Sequence, residues 1–343
     1  MRAAPHARLA RDVTAAAPRS IRLFVPRPLV DRAGAEGPSD PFPALKRALS
    51  RARSRRYSKT GLRTLLLASF GVARQRDWPI AALSWLGEGR EKDATFRLRA
   101  DPVHLRADRD ALVLVDPRQF PLAEDEAAQL VDALNAHFEP DGLHFDAPAP
   151  TRWYVTTARA PDITTQPLEL AAGRSVDPLL PSGPEAMTWH RYFNEIQMLF
   201  HAHPVNAVRE QAGLPAVNST WFWGGGVLPS EAAATVSAIW ADDPVARGLA
   251  SIAQVQQHGA PTALSAWSSQ ASAGEHLIWL DVGGLGLDSL EHRWFAPLLE
   301  ALRTRAIARA FIAAGDADET MTFELTPADL WKFWRRAPQS ILS

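Results

Sequence analysis

The sequence predicts an α/β fold with a largely parallel sheet, and three features indicate it. Beyond residue 187, segments with helical spacing alternate with short apolar runs such as Leu277–Asp281 and Ala310–Ala314. This alternation is typical of a parallel sheet with helices on its faces. Between Trp78 and Thr156 the apolar runs are shorter and closer together, which indicates a smaller α+β unit. The length of 343 residues suits two domains, or one large α/β domain that carries an insertion.

Composition excludes several classes of protein. The chain has 46% hydrophobic residues, 22% charged residues, a net charge of −1 and no cysteine. A disulfide scaffold, a thiolate metal site and cysteine-based catalysis are therefore excluded. The longest apolar stretch near the start, Leu65–Ala73, is far shorter than the ~20 residues that span a bilayer. Because no secretory pattern is present, we expect a cytoplasmic protein without a membrane partner.

The first 60 residues are strongly basic. They carry 14 Lys and Arg against 4 Asp and Glu, and the remainder of the chain is acidic. Ile21–Val25 predicts a short strand, Gly37–Pro43 a loop, and Arg47–Lys59 an arginine-rich helix or arm. Such an arm could dock on phosphates or on the acidic face of a partner protein, or it could be a solvated helix face. No aromatic platform or nucleic-acid motif accompanies it, so nucleic acid is not expected as a partner.

Residues 61–159 predict the smaller α+β region. A helix is predicted over Ala123–Phe138, where apolar residues recur at helical spacing. The face of this helix that is predicted to be buried consists of Ala127, Leu130, Val131, Leu134 and Phe138. Five apolar runs predict strands, namely Ile80–Leu86, Phe96–Leu98, Val103–Leu105, Leu112–Val115 and Trp153–Thr156.

Residues 160–187 are rich in Pro, Thr and Ser and predict a linker to the α/β core region over residues 188–343. The predicted organisation is therefore a basic arm with a short strand (1–60), the α+β region (61–159), the linker and the core region. In the core region Val217–Trp223 predicts a strand that stops at three glycines. The predicted helices there are Trp189–Phe200, Val205–Gly213, Ala232–Trp240, Ala246–Gln257 and Ser289–Arg303.

The segment Asn194–Gly226 mixes polar residues with large aromatics, which is uncommon in a plain core. Glycines after a strand let backbone N–H groups approach a ligand, and asparagines can hold loops. Two interpretations stay open: a pocket for an anion or a small molecule, and a structural turn with packed tryptophans. The candidate ligand-binding residues are Asn206, Arg209, Asn218, Trp221, Trp223, Gly224, Gly225 and Gly226, with Glu195 and His203 as orienting groups.

Strings of residues in this segment and elsewhere in the chain resemble known families. The string HPVN followed by R, G and VNSTWFWGGG resembles the archaeal type of cofactor-independent phosphoglycerate mutase, and RLRADPVHL at Arg97–Leu105 is similar to that family's inserted domain. The longer string LPSGPEAMTWHRYFNEIQMLFHAHPVN with NSTWFWGGG resembles a proteobacterial group, the RpfE-type regulatory proteins. This resemblance covers roughly residues 75–300. The mutase resemblance implies an alkaline-phosphatase-like layered core with a smaller inserted α+β domain.

The mutase resemblance also implies a phosphoryl-accepting serine beside two divalent metals held by Asp and His residues at strand ends. The sequence departs from that pattern. The predicted strand Ile21–Val25 is followed by Pro-Arg-Pro where the family has Asp-Gly, and Asp316 is followed by Ala317 where the family has Asp-His.

One metal-binding spacing is kept in part, because Asp288 and His292 are four residues apart as in a metal-binding turn of the family. On a helix these two side chains would share a face and could bind one ion. The alternative interpretation is an ordinary helix start, with Asp288 as the N-cap and Glu291 in the capping-box position. Separately, Arg99 and Asp101 could grip an anion or form an internal ion pair.

The sequence therefore favours a phosphoglycerate-mutase-like protein that is non-catalytic or degenerate, has a regulatory or ligand-binding role, and holds no cofactor. A phosphorylated small molecule is the expected ligand. The first alternative is an active metal-dependent mutase or phosphotransfer enzyme that uses Mn or Zn at Asp281, Asp288, His292 and Asp316. The second is a protein-interaction module whose basic arm binds a protein partner.

Overall fold

The computed structural model describes residues 18–26, 29, 42–109, 111–280, 286–332 and 334. The described strands are β1 (Arg19–Val25), β2 (Arg53–Ser58), β3 (Arg97–Asp108), β4 (Ala111–Val115), β5 (Leu143–Ala149), β6 (Arg152–Thr157), β7 (Ser219–Gly226), β8 (Ala238–Trp240), β9 (Gln256–His258), β10 (Gly274–Trp279), β11 (Arg309–Gly315) and β12 (Glu319–Leu325).

The described α-helices are α1 (Pro43–Arg51), α2 (Leu62–Ser69), α3 (Ile80–Gly87), α4 (Glu124–Phe138), α5 (Leu168–Ala171), α6 (Ala186–His201), α7 (Pro204–Gln211), α8 (Pro244–Ala253), α9 (Leu264–Ser268), α10 (Leu287–Leu290) and α11 (Ala296–Arg303). A π-helical turn, Glu291–Phe295, joins α10 to α11. No helix in the described part of the chain combines the length and the apolar character that crossing a membrane requires.

Seven strands form the main sheet, in the order β2-β12-β11-β1-β10-β8-β9. The five strands from β11 to β9 are parallel, and β12 and β2 extend this sheet in antiparallel pairing. In β1, Leu23 lies opposite Ile278 of β10 and Ile312 of β11. The mainly parallel sheet confirms the predicted fold class.

The smaller sheet is antiparallel and is built around the long strand β3. It has the order β4-β3-β6-β5, and β7 also pairs with β3. Helix α4 covers this sheet, and the five residues predicted to form its buried face are the buried ones. Strand pairings cross two of the expected domain boundaries, because β2 (expected in the arm) pairs with β12 and β7 (expected in the core region) pairs with β3.

Apolar side chains bury both faces of the main sheet. In β1, Ile21, Leu23 and Val25 belong to the cluster that lies under α1 and α11, whereas Phe24 belongs to the cluster that contains residues of α2, α3 and α8. A third cluster fills the space between the smaller sheet, α4 and α6. This both-sided burial explains why the parallel strands read as short continuous apolar runs in the sequence.

The predicted strand Ile80–Leu86 is wrong, because this segment is helix α3. Its residues are buried nearly all round, so the run lacks the polar face that reveals a helical period. Helix α3 packs closely on α8 through two glycines. A Cβ atom on Gly87 would lie 1.7 Å from the Pro244 carbonyl oxygen, and one on Gly248 would lie 1.9 Å from that of Leu83.

Other segments also differ from the prediction. The arginine-rich segment Arg47–Lys59 is divided between α1 and β2 at Ala52, which has an extended backbone. The two short strands predicted at residues 96–98 and 103–105 form, apart from Phe96, one strand, β3, whose ladder runs through Pro102. The predicted helix Ala232–Trp240 is instead irregular and then strand β8. The helix predicted to reach Gln257 ends at Ala253, because Gln254 has a left-handed φ of 54° and β9 follows.

A buried histidine in β10 predicts how stability depends on pH. Trp240 Nε1 donates to His276 Nδ1 at 3.1 Å, so Nε2 carries the proton and donates to the Ser272 carbonyl at 3.0 Å. Burial lowers the pKa of His276 below its ordinary value of 6.5. As the pH falls, the unfolded chain is protonated at this histidine before the folded protein is. The stability that neutral His276 contributes is therefore present above about pH 6.5 and is lost as the pH falls towards the pKa of His276 in the folded protein.

We therefore expect the melting temperature to fall as the pH decreases from about 7.5 to 5.5, and to fall less steeply in His276→Gln. Melting curves followed by circular dichroism at several pH values measure both slopes. Equal slopes for the two proteins would show that His276 is not the titrating group.

Candidate functional site

The candidate site lies at the carboxyl edge of the main sheet, where α/β proteins commonly bind ligands. Strands β1, β8, β10 and β11 are parallel and therefore end at this edge. Strand β2 runs in the same direction as β11, so α2 begins at this edge and its Leu62 N–H donates to the Asp316 carbonyl at 3.1 Å. Helix α8 begins here directly after β8, with Asp243 as its N-cap.

Arg63 of α2 is the central charged group at this edge. Its Nε donates to Glu169 Oε1 at 3.0 Å and its Nη1 to Asp243 Oδ1 at 2.9 Å. The guanidinium carbon lies 5.0 Å from the centroid of the Trp279 ring, at the end of β10. Burial alone would lower the pKa of Arg63, but the two carboxylates more than offset it and raise the pKa. We call Arg63, Glu169, Asp243 and Trp279 the carboxyl-edge site.

The carboxyl-edge site is partly exposed to solvent. The Arg63 side chain is 27% exposed and that of Glu169 28% exposed, whereas Asp243 is more deeply buried. Asp243 also accepts the Ala246 N–H at 3.1 Å as the cap of α8, so it is held twice. Glu169 is carried by the four-residue helix α5 within residues 160–187, the segment predicted to be a linker. Of the two carboxylates on Arg63, Glu169 is therefore the more exposed and the less firmly held.

Neighbouring charged groups at this edge are also bonded within the protein. Arg118 donates to Asp116 at 2.5 Å, and this bond raises the pKa of Arg118; Glu169 and Arg63 also lie near enough to influence that pKa. Asp316 Oδ1 accepts the N–H groups of Asp318 and Glu319 at 2.8 and 3.0 Å, which closes the turn between β11 and β12. The described carboxylates at this edge therefore bond to arginines and backbone N–H groups.

The described residues do not fit the two-metal centre that the mutase resemblance implies. Among them, no group of three or more His, Asp or Glu side chains is placed to hold a metal ion. Asp288 and His292 do share a helix face, with Oδ1 and Nδ1 3.4 Å apart, but their side chains are 81% and 71% exposed. Asp316 is bonded to its own turn, and Asp281 lies outside the described residues.

The interpretation of Asp288 as an N-cap and Glu291 as its capping-box partner is wrong. Asp288 lies inside α10, and buried Glu291 accepts the N–H groups of Ala44 and Leu45 at 2.6 and 2.8 Å. Glu291 thus caps α1, which packs beside it on the same face of the sheet, rather than its own helix. Beside this contact lies a surface cavity of about 280 Å³, lined in part by Arg47 and His292.

The candidate ligand residues on α7 bond to the protein itself. Asn206 donates to the carbonyls of Phe200 and Val217, both at 2.8 Å, and accepts the Val217 N–H at 2.9 Å. Buried Arg209 donates to the Pro215 and Pro121 carbonyls at 2.9 and 2.8 Å and to Glu126 Oε2 at 2.8 Å. These bonds hold α7 against β7 and α4.

Asn218 and Trp221 are likewise bonded to backbone groups. Asn218 accepts the Leu105 N–H at 2.6 Å and donates to the Leu105 carbonyl at 2.9 Å, so it extends the ladder between β3 and β7. Trp221 Nε1 donates to the Gln166 carbonyl at 2.9 Å. The Trp221 bond ties β7 to the 160–187 segment.

The three glycines lie inside β7, which continues to Gly226 and does not stop at Trp223 as predicted. A Cβ atom on Gly224, Gly225 or Gly226 would lie 2.8–2.9 Å from Ile80, Leu98 or Pro79. Gly224 also has a left-handed φ of 64°, and its N–H donates to Thr165 Oγ1 at 3.1 Å. Protein side chains thus occupy the space that these glycines leave.

Trp223 belongs to a buried polar network around Asp101. Asp101 accepts from Arg99 Nη2 at 2.5 Å, from Trp223 Nε1 at 2.7 Å and from the Trp153 N–H at 3.2 Å. The Arg99 guanidinium lies near the rings of Tyr154 and Trp223, at 5.1 and 5.4 Å from their centroids. Both charged side chains are buried, which confirms the interpretation of Arg99 and Asp101 as an internal ion pair.

The two candidate orienting groups lie apart. Glu195 is on the outer part of α6, where His137 and Arg191 lie 3.3 and 3.6 Å away. His203 caps α7 by accepting the Val205 N–H at 3.3 Å, and burial lowers its pKa. Most of the candidate residues therefore lie around β7, and their polar groups form hydrogen bonds within the protein.

The sequence does not reveal the carboxyl-edge site. Arg63 lies in an apolar helix, and Glu169 and Asp243 follow it by 106 and 180 positions. The one local signal is Asp243-Pro244, which is typical of an N-cap followed by the first residue of a helix.

Comparison with known proteins relates the chain to one enzyme class. No protein-family model matches it. Over 110 residues, or 32% of this chain, it is 26% identical to the 2,3-bisphosphoglycerate-independent phosphoglycerate mutase of Methanosarcina mazei, of which 28% is covered. Over 152 residues, or 44% of this chain, it is 26% identical to a Geobacter sulfurreducens protein described as a probable mutase of the same type, of which 38% is covered. The chain thus matches about a third of these relatives' length.

A solved structure agrees with the fold. The PH0037 protein from Pyrococcus horikoshii matches 95% of this chain with 92% of its own, at a TM-score of 0.52 and 14% sequence identity. At this identity the likeness concerns the fold alone. The chain therefore has a layered α/β fold, and parts of its sequence are similar to cofactor-independent phosphoglycerate mutases.

Proposed function

We propose that this chain is a non-catalytic, phosphoglycerate-mutase-like protein that binds a small phosphorylated molecule at the carboxyl-edge site. The observation that carries the proposal is Arg63, whose partly exposed side chain is held over Trp279 at this edge by two carboxylates. Arginine binds phosphate and carboxylate groups through two parallel hydrogen bonds, which suits a phosphorylated acid. No resident metal is part of the proposal.

The two carboxylates on Arg63 would respond differently to such a ligand. Asp243 is fixed because it also caps α8, whereas Glu169 is partly exposed and has Arg63 as its partner. A phosphate group that approaches from solvent would compete with Glu169 for Arg63 Nε and leave the Asp243 bond in place. Displacement of Glu169 would alter the contacts of the 160–187 segment, which suits a regulatory role of the RpfE type in the cytoplasm.

The charge of the edge supports binding rather than metal-dependent phosphoryl transfer. A guanidinium repels a divalent cation, and the carboxylates that could offset this repulsion are bonded to Arg63, to Arg118 and to backbone N–H groups. The alternative remains an active mutase that uses Asp288 and His292 with Asp281 and Asp316. Its support is the sequence similarity to the two mutases and the 3.4 Å separation of the Asp288 and His292 side chains.

Two substitutions with opposite expected effects test the binding site. Arg63→Gln removes the charge, so we expect 3-phosphoglycerate to bind at least about tenfold more weakly. Glu169→Gln removes the competing carboxylate, so we expect binding to tighten by about threefold or more. Isothermal titration calorimetry with 3-phosphoglycerate and with inorganic phosphate measures both changes.

Arg303→Gln is the matched control, because Arg303 is an exposed arginine on α11 that also pairs with a carboxylate, Glu300. We expect the Arg303→Gln variant to bind 3-phosphoglycerate as tightly as the unmodified protein does. Circular dichroism checks that each variant is folded. Equal affinity of Arg63→Gln and the unmodified protein, or weaker binding by Glu169→Gln, would contradict the proposed site.

A further inference from the structure

We propose that the outer edge of β2 is a docking site for an extended acidic peptide segment of a partner protein. The segment would add to the main sheet as a further strand beside β2. This inference gives the basic N-terminal region a partner of defined chemistry, and it does not rest on the carboxyl-edge site.

The geometry of β2 supports strand addition. It is the last strand of the main sheet and pairs with β12 over six residues, from Arg53 opposite Glu324 to Ser58 opposite Glu319. No strand among the described residues pairs with its other side. The outward N–H and C=O groups of such an edge can pair with an extended peptide.

The charge of β2 defines which peptide fits. Its sequence is RSRRYS, and five of its six residues are exposed. Arg56 pairs with Glu319 on β12 at 2.5 Å, whereas Arg53, which lies opposite Glu324, and Arg55 form no ion pair within the described part of the chain. Side chains two apart along a strand share a face, so Arg53, Arg55 and Tyr57 lie on the same face. A peptide with carboxylates at alternate positions would place them beside these arginines.

An aromatic group accompanies the arginines. The Arg55 guanidinium lies 4.8 Å from the centroid of the Tyr57 ring, which offers a second surface on the same face. A peptide with apolar residues between its carboxylates would therefore find both kinds of contact.

These features select one occupant. A second copy of this chain would bring arginines against arginines, which makes self-pairing unfavourable. Nucleic acids and anionic lipids would be attracted by the charge, but they have no backbone amide groups for the strand edge. The backbone edge therefore distinguishes an acidic peptide from these two anionic partners.

The test uses the full chain and a fluorescent peptide of about seven residues in which Val and Glu alternate. We expect saturable binding by fluorescence anisotropy and slower hydrogen exchange of the β2 amides in the complex. The same peptide with N-methyl groups on alternate amides keeps its charge but cannot complete the strand pairing, so it should bind at least about tenfold more weakly.

The double variant Arg53→Gln with Arg55→Gln should bind the fluorescent peptide at least about tenfold more weakly. The control double variant Arg247→Gln with Arg303→Gln changes the net charge equally at exposed positions on helices α8 and α11 and should leave binding unchanged. Equal binding of the two peptides, equal binding by the two double variants, or no binding would overturn the proposal. So would displacement of the bound peptide by single-stranded DNA or by phosphatidylserine vesicles at lower concentration than by unlabelled peptide.

Discussion

Gly248→Ala is expected to destabilise the protein by about 3 kcal/mol, because the helices α3 and α8 touch at this position. The new Cβ atom would lie 1.9 Å from the Leu83 carbonyl oxygen, whereas carbon and oxygen normally stay more than 3 Å apart. The neighbour is backbone, so no side-chain rotation relieves the contact. The two helices must separate, which opens the apolar cluster that they share with β1 and β10. The fall in melting temperature measures the effect.

Gly259→Ala is the matched control. A Cβ atom there would meet Asp242 Oδ1 at 3.5 Å, an ordinary contact, and Gly259 has no left-handed φ. We expect its melting temperature to be close to that of the unmodified protein. Gly87→Ala should resemble Gly248→Ala, because its Cβ atom would lie 1.7 Å from the Pro244 carbonyl oxygen. Equal melting temperatures for Gly248→Ala and Gly259→Ala would contradict the close packing of α3 on α8.

The second large effect is expected from Asp101→Ala, at about 3–5 kcal/mol. This substitution leaves the Arg99 guanidinium buried without its carboxylate and removes the acceptor of the Trp223 indole N–H. Replacing both members of the pair, Arg99→Met with Asp101→Leu, should recover part of the loss because no unpaired charge remains. Thermal unfolding and tryptophan fluorescence measure stability and the environment of Trp223.

The exposed pair Glu300 and Arg303 supplies the control for the ion pair. Glu300→Ala should leave the melting temperature unchanged, because solvent screens an exposed pair. If Asp101→Ala were as stable as Glu300→Ala, the pair Arg99–Asp101 would not stabilise the smaller sheet in the way the contacts indicate.

Local patterns in the sequence were sufficient to predict a helix or a strand where the segment buries one face or lies between two layers of helices. Helix α4 repeats apolar residues at helical spacing, and β10 and β11 are short apolar runs, so their types were predicted correctly. Helix α3 was not, because a run that is buried on all sides has no period to read. The helix predicted over Ala232–Trp240 was wrong for a different reason. The alanines of this segment favour a helix, but pairing in the main sheet makes Ala238–Trp240 a strand.

Prediction of the candidate site from the sequence was limited because the partners of its residues are distant along the chain. The polar residues of Asn194–Gly226 looked like ligand groups because asparagine and arginine need directional partners. Those partners turned out to be backbone groups of β3, α6 and the loop before β7, which a linear sequence does not display. Glu169 and Asp243 lie 106 and 180 positions after Arg63 in the sequence, so only the folded chain brings the three residues together.

The central claim is that the chain binds a phosphorylated molecule without metal-dependent turnover. The most direct test is a coupled assay for the interconversion of 3- and 2-phosphoglycerate with Mn or Zn added, together with calorimetric binding of 3-phosphoglycerate to the same sample. We predict binding that depends on Arg63 and no turnover above that of the metal ions alone. Metal-dependent turnover that Asp288→Ala abolishes would contradict this account and establish the active mutase.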